Sequence, residues 1–403
     1  MRKDNIFISA VIPFLVSVSV MCFSVACDAN ASEMPKEKEE AKEEVTQWPF
    51  SDMVLCYGGS AHRKPFQWNK ERFADYVSCQ DAEGKEQWLF DGFLFLEFCN
   101  LNRGDGMYWS YCTGYSAGHN RSAGRDLWQE QIDYWFAEGC GFNALEEAVA
   151  ETAKRIGKPS HKRKVVLSIP DPILHRQYDD LSSPTQYWGE LDGRQLDFAN
   201  PQDRADACKW FADEVVKRFR KSHFKYIELD GFYKISEEIT TPDEGWCYDM
   251  KKMDLFLPIL TDYLHKKGYK YYWIPYRKAA GYDKGAKFGV DFTWMQPNYF
   301  WHADKYPFDQ SMRWILDAGI GMELEMDKAL LEGKENAELY RMRFRKYLEN
   351  AKRYQIYGKF PFTYYIETDA FRMLRKSEHP EDIRMYEEFR DFILNNPVRE
   401  ICK

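Results

Sequence analysis

Two stretches of the chain alternate apolar with acidic residues, as strands do when their two faces meet different surroundings. Segment 225–233 places apolar side chains on one face and acidic ones on the other, and segment 321–327 repeats this arrangement. Carboxylates on the inner face of a strand fit a barrel, because inward residues near the C-terminal strand ends surround its active site. The acidic positions are Glu228, Asp230, Glu323, Glu325 and Asp327.

Strand-like and helix-like patterns alternate along the chain, which predicts parallel strands joined by helices. Eight apolar runs are present, the number that closes a barrel, so we predict an α/β fold: a (β/α)8 TIM barrel like that of glycoside hydrolases. An open doubly wound sheet is the alternative, but no GxGxxG or phosphate loop follows the first run. The predicted strands are 53–57, 92–98, 165–169, 226–230, 271–274, 292–296, 322–325 and 362–366. The predicted helices are 70–78, 127–137, 144–156, 201–221, 250–267, 308–318, 337–357 and 380–394, with only a short one near 282–288.

The N-terminal residues 1–31 have the pattern of a secretory signal, with Arg2 and Lys3 before an apolar run. Cys27 stands where a bacterial lipoprotein would be lipidated, and cleavage by ordinary signal peptidase after Ala31 is the alternative. We predict an exported protein of the cell envelope, a lipoprotein of the outer membrane or periplasm or else a secreted protein, that meets the membrane only through its lipid anchor. Residues 32–47, rich in Glu and Lys, predict a solvated linker, and residues 48–403 one barrel domain.

Composition narrows the function further. The net charge of −8 and the lack of a basic stripe argue against a nucleic-acid partner. No HxH or HExxH motif occurs, so we predict neither a metal site nor a cofactor and disfavour zinc hydrolases. Aromatic residues make up 17% of the chain, which suits either a large core or a cleft for sugar rings. Oligomeric state is not predicted.

The cysteines leave two interpretations open. Eight remain after Cys22 and Cys27 are set aside, an even number that permits disulfides in an exported protein. A bridge between Cys99 and Cys112 would close one long loop, whereas Cys56 lies in a predicted strand and suits a free buried thiol.

Paired carboxylates at the barrel mouth suggest glycosidic bond cleavage. That reaction needs one carboxyl group as acid and a second as nucleophile or base on the other side of the bond. We expect acids at the ends of strands four and seven of an eight-stranded barrel to meet this requirement. We predict Glu325 as nucleophile or base and Asp230 or Glu237 as general acid. Glu323 and Glu228 lie one layer deeper, where we expect them to support this pair.

Other residues at the predicted strand ends are candidates to bind the sugar. Any one of the acids at the strand ends could instead be a structural partner of Arg277, Arg313 or a backbone amide, which is the better explanation for most of them. Trp109, Trp188 and Trp301 lie in predicted loops and are candidate sugar platforms. The predicted substrate-binding residues are Tyr57, Glu97, Asp171, Tyr276, Arg277, Gln296, Asn298, Tyr299, Trp301 and Tyr365.

Four motifs in fixed order resemble a bacterial family, the domain of unknown function 4855. They are Gly-Phe-Tyr at 231–233, Trp-Ile-Pro-Tyr at 273–276, Gln-Pro-Asn-Tyr at 296–299 and Gly-Met-Glu-Leu-Glu-Met-Asp at 321–327. The resemblance covers about 54–365 and implies a barrel similar to glycoside hydrolases, without a substrate. In that family Gly-Phe-Tyr is followed by Trp and then by Glu; here Lys234 replaces the Trp and Glu237 supplies the acid. The resemblance thus emphasises Glu237, Glu323 and Glu325.

We therefore predict a glycoside hydrolase that acts on a poly- or oligosaccharide. A non-catalytic glycan-binding lipoprotein with a degenerate barrel site is the alternative. An assembly protein of the envelope that binds no glycan fits the acidic strand ends least well.

Overall fold

The computed structural model describes most of the chain from residue 48 onward. The described ranges are 48–58, 67–97, 99–100, 108–111, 120–121, 123–172, 188–198, 200–239 and 253–402. The predicted signal peptide, Cys27, the linker and the proposed Cys99–Cys112 bridge lie outside what is described. Cys56, in the first strand, is a free buried thiol.

Eight parallel strands form a closed barrel, which confirms the predicted fold. Each strand pairs with the barrel strands that precede and follow it in sequence, and the last pairs with the first. The strands are β1 (Asp52–Tyr57), β2 (Gly92–Leu96), β3 (Arg163–Ile169), β4 (Ile227–Lys234), β5 (Lys270–Trp273), β6 (Phe292–Met295), β7 (Gly321–Glu325) and β8 (Phe362–Tyr365).

Helices cover the outside of the barrel. A single 3-10 turn, Gly285–Phe288, connects β5 to β6, as the short pattern there predicts. Short paired strands add to the loops: Ser78–Gln80 with Glu86–Trp88, and Glu190–Leu191 with Arg194–Gln195. Cys99–Asn100, Tyr108–Ser110 and Asn120–Arg121 form a further small sheet. The helices are α1 (Lys70–Val77), α2 (Arg125–Trp135), α3 (Gly141–Ile156), α4 (Pro201–Ser222), α5 (Met253–Lys266), α6 (Tyr299–His302), α7 (Phe308–Ala318), α8 (Ala337–Arg353), α9 (Ala370–Lys376) and α10 (Pro380–Leu394).

Strand β4 is longer than its pattern predicts. It does not end at Asp230 but continues to Lys234, with a bulge between Leu229 and Gly231. Gly231 lies inside the sheet at a position where only glycine fits, because a Cβ atom there would stand 2.2 Å from the carbonyl oxygen of Lys270. The glycine therefore permits a close approach of two strands, where the sequence suggested a strand end.

Aromatic rings fill the N-terminal half of the barrel. Tyr272 and Trp294 stack with centroids 6.0 Å apart, and Phe50 packs on both rings from below. The first residue of β7 is Gly321, and a glycine is needed there because the Trp294 indole occupies the space of a side chain. In the described region, no helix has both the length and the apolar composition needed to cross a bilayer. Because aromatic rings fill the N-terminal half of the barrel interior, a catalytic site is expected at the C-terminal end.

Candidate functional site at the C-terminal end of the barrel

Strand β7 brings two carboxyl groups to the C-terminal half of the barrel. Glu323 and Glu325 lie on the same face of the strand, in register with Thr363 and Tyr365 of β8. Each is only 1% exposed. The alternation in the sequence therefore places both acids as predicted.

Glu325 is held by donors from two different elements. Its Oε2 accepts the Asn298 N–H at 2.7 Å and the Tyr347 hydroxyl, from α8, at 2.5 Å. Burial raises the pKa of Glu325 to about 8; the two donors oppose this shift, and the charge of Glu237 adds to it. Tyr347, which no sequence signal singled out, thus positions a candidate catalytic group from the outer layer.

Glu237 approaches from the loop after β4. The side-chain amide of Gln296 donates to its Oε1 at 2.8 Å, and the residue is half-buried. Burial raises the pKa of Glu237, while the Gln296 hydrogen bond and the charge of Lys234 oppose the rise. Burial, then the charges of Glu325 and Glu237, raise the pKa of Glu323 well above its usual range. Three carboxyl groups from two strand ends therefore share one site.

Lys234, the last residue of β4, anchors the turn that carries Glu237. Its ammonium donates to the Ser236 carbonyl at 2.7 Å and lies 3.5 Å from the carboxylate of Asp171. The Trp273 indole donates to the same carbonyl at 2.9 Å, and Asp171 accepts the Ser236 N–H. Lys234, which replaces the Trp of the family motif, thus fixes the loop that carries Glu237. This role could be recognised only once β4 was seen to extend to Lys234.

Aromatic rings line the mouth next to the acids. Tyr57 meets Tyr365 edge to face at 5.8 Å, and Trp301 meets Tyr365 at 5.6 Å. Trp301 donates its indole N–H to Asp327 at 2.7 Å. Burial raises the pKa of Tyr233, which lies beside these rings, and the charges of Glu237 and Glu323 raise it further. The rings and the acids thus belong to one end of the barrel.

The remaining predicted binding residues lie in varied surroundings. Glu97 follows β2 and is buried, close enough to Tyr134 of α2 that its charge adds to the rise in the Tyr134 pKa. The Tyr276 hydroxyl donates to Glu238, also buried. Asn298 meets Glu325 through its backbone, in a left-handed conformation with φ of 54°. The side chain of Trp109 is not described.

Three predicted residues point elsewhere. Arg277 packs between the rings of Tyr306 and Trp314 and donates to α7, so its guanidinium is already engaged on the outer layer. The Tyr299 ring packs on Phe308 of α7. Trp188, expected to be a sugar platform, is 1% exposed within an aromatic cluster, because its loop folds back onto α2 and α4.

Asp230 and Glu228 lie in the first half of β4, at the opposite end of the barrel. Lys270 approaches Asp230 at 3.3 Å, Tyr272 donates to it, and Lys164 pairs with Glu228. Four residues of strand separate Asp230 from the end of β4, a rise of roughly 13 Å. The expected position of Asp230 at the strand tip, with Glu228 one layer below it, is therefore wrong. Glu237 is the acid that the structure brings to Glu325.

The described residues contain no group of three His, Cys, Asp or Glu side chains arranged to hold a metal ion.

The chain matches one protein family and is distantly similar to several solved structures. The family model described as a domain of unknown function (DUF4855) matches residues 52–391. No curated protein matches the chain. Similar solved structures include a candidate alpha-L-fucosidase from Bacteroides thetaiotaomicron, with 13% identity, TM-score 0.43, and coverage of 90% of this chain and 99% of that one.

Two further structures are carbohydrate enzymes. An endocellulase from Pyrococcus horikoshii, in complex with cellotetraose, has 13% identity and TM-score 0.37, with 79% of this chain and 84% of that one covered. A chitinase catalytic domain from Ostrinia furnacalis has 10% identity and TM-score 0.32, with 71% and 67% covered. All three likenesses are distant in both sequence and structure.

The burial of Glu325 predicts a pH-dependent stability. Its pKa is raised from 4.5 to about 8, so the folded protein binds a proton that the unfolded chain releases. The free energy of unfolding should therefore fall between pH 5 and pH 8, by at most about 5 kcal/mol from this residue. Glu325→Gln keeps an acceptor for both donors and should flatten the decline in urea unfolding. Glu228→Gln, the same change at a partly exposed site, should leave the decline unchanged. Parallel curves of unfolding free energy against pH for the wild type and both variants would contradict the prediction.

Proposed function

The chain belongs to the DUF4855 family, a domain of unknown function, and we propose that it is a glycoside hydrolase acting on a poly- or oligosaccharide. The observation that carries the proposal is the convergence of Glu237, from the loop after β4, with Glu325 at the end of β7. The pairing of an acid with a nucleophile or base across one site is what glycosidic cleavage requires.

Burial of the two acids, with the charge of Glu237 acting on Glu325, favours the protonation that the reaction needs. Two carboxyl groups in one desolvated site do not both ionise readily, so the pair retains a proton near neutral pH and titrates as a unit. The productive arrangement has the proton on Glu237, which is half-buried and accessible to a leaving oxygen. Glu325 is then the anion, held by Asn298 and Tyr347. Because burial raises the pKa of Glu325 to about 8, this ionised form becomes more populated as the pH rises toward that value.

The aromatic rings beside the acids support a carbohydrate substrate. Tyr57, Trp301 and Tyr365 form adjoining faces at the mouth, and flat apolar rings suit the C–H faces of sugars. The side-chain amide of Gln296 donates to Glu237 and to the Ile274 carbonyl, and its own carbonyl oxygen can accept a hydrogen bond from a sugar hydroxyl.

We expect Glu325→Gln and Glu237→Gln each to reduce hydrolysis by about a hundredfold or more, because each removes one member of an acid–base pair. The measurement is release of reducing sugar from a panel of polysaccharides. Circular dichroism shows whether each variant is folded.

Glu228→Gln is the matched control, since it makes the same change at the N-terminal end and should retain full activity. Binding of a polysaccharide without new reducing ends, unaffected by either site variant, would instead favour a non-catalytic glycan-binding protein. Wild-type turnover by folded Glu325→Gln would contradict the assignment.

The charge of Lys234 should affect the pH at which Glu237 loses its proton. Its positive charge lowers the pKa of Glu237 against the rise caused by burial. Lys234→Met removes that charge from a buried position, so Glu237 should hold its proton to higher pH. We expect the alkaline limb of the kcat/KM profile to move to higher pH. A profile that loses height without moving would mean that Lys234 serves only to hold the loop.

We also propose, from the sequence alone, that the protein is exported and anchored through Cys27. Its signal and Cys27 lie outside the described residues. Metabolic labelling with a palmitate analogue should mark the wild type and not Cys27→Ser. Equal labelling of both proteins would reject the anchor, and secretion of an unlabelled wild type would favour cleavage after Ala31.

A further inference from the structure

A cavity of about 560 Å³ lies at the N-terminal end of the barrel, away from the candidate catalytic acids. It is formed by the starts of β2 and β3, the hairpin before β2, and the end of α10. Its floor carries Arg163 and His161, and its rim carries polar and acidic side chains. None of the roles above uses this cavity.

Arg163 has a buried guanidinium with unused hydrogen-bonding capacity. The residue is 2% exposed, and its Nε has no hydrogen-bond partner among the described residues. Its guanidinium carbon lies 4.8 Å from the centre of the Trp88 ring, which covers one face of the group. Burial lowers the pKa of Arg163 to about 10, so it is charged at neutral pH. A buried N–H without an acceptor is costly, and a ligand in the cavity would supply one.

The nearest fixed acid is already occupied by other donors. Asp91 accepts the backbone N–H groups of Ser51 and Asp52 at 3.0 and 2.9 Å, and His161 lies 3.4 Å from it. Its charge favours the ionised form of Arg163, but the two form no ion pair in the described region. Asp91 therefore leaves the guanidinium available to a ligand.

The other cation on the cavity wall is committed to the protein. Arg399 donates to the carbonyl groups of Leu89 and Trp88, both at 2.8 Å. Of the two arginines on the wall, Arg163 is thus the one shown to have an N–H without a partner in the described part of the chain, and a guanidinium is well suited to a carboxylate.

We propose that this cavity binds a hydroxylated monocarboxylate of the size and chemistry of a uronic acid, with its carboxylate on Arg163. Asp81, Glu83 and Asp391 on the rim make a compact polyanion such as phosphate unfavourable. The same oxygens accept hydrogen bonds from hydroxyl groups, and Ser160 and Asn395 add further polar partners. The ligand therefore carries one negative charge at its deep end and neutral hydroxyls at the rim.

Isothermal titration of the full chain with glucuronate, glucose and inorganic phosphate tests this assignment. We expect saturable binding of glucuronate, at least tenfold weaker binding of glucose and of phosphate, and retention of the glucuronate affinity in Glu325→Gln. Arg163→Met should abolish the binding while leaving any hydrolytic activity intact. Because Arg163 is buried, Arg163→Lys and the exposed Ser160→Ala serve as second variants that need not disturb the core; each should weaken binding at least threefold.

Three results would overturn the proposal. Absence of saturable glucuronate binding to the wild type would reject the site. Binding lost in Glu325→Gln but kept in Arg163→Lys and Ser160→Ala would place the uronate at the opposite end of the barrel. Phosphate binding as tight as that of glucuronate would reject the hydroxylated ligand. The glycoside hydrolase proposal is unaffected by each result, since it is tested by hydrolysis in the Glu237 and Glu325 variants.

Discussion

Repulsion and desolvation among three carboxyl groups govern the C-terminal half of this barrel. Glu237, Glu323 and Glu325 have raised pKa values because burial penalises their charge, and the charge of one raises the pKa of another. Such a cluster opposes folding at neutral pH unless it keeps protons or acquires donors. The surrounding structure supplies donors to two of them, and Glu323 has an oxygen without a partner among the described residues. An arrangement that lowers stability is expected where it serves chemistry.

The two ends of the barrel treat their acids differently. At the N-terminal end, Asp230 and Glu228 are compensated by Lys164 and Lys270, so those carboxylates have a structural role. At the C-terminal end, no described Lys or Arg forms an ion pair with Glu325. Lys234 acts on Glu237 only through its charge and binds the adjoining turn. The distinction explains why an acid-rich strand is not by itself evidence for catalysis: the surroundings of each acid decide its role.

The sequence predicted those features that depend on periodicity. Apolar runs separated by helical patterns were sufficient for the eight strands, and strict alternation in β7 placed Glu323 and Glu325 on one face. The end of β4 was not predictable in the same way, because Gly231 resembles a strand end unless the closeness of Lys270 is known. That single difference moved Asp230 from the mouth to the opposite half.

Contacts between elements far apart in sequence account for the other differences. Trp188 lies in a loop by its local pattern, yet it packs against Trp128 and Trp210 on helices α2 and α4. Tyr347 belongs to the buried face of α8, and only the assembled barrel shows that its hydroxyl reaches Glu325 and also accepts the N–H groups of Tyr299 and Phe300. The turn after β6 and the acid of β7 are thereby held by one hydroxyl. The turn supplies one donor to Glu325 through Asn298 and α8 supplies the other through Tyr347, so the outer helix contributes to the electrostatics of the inner site.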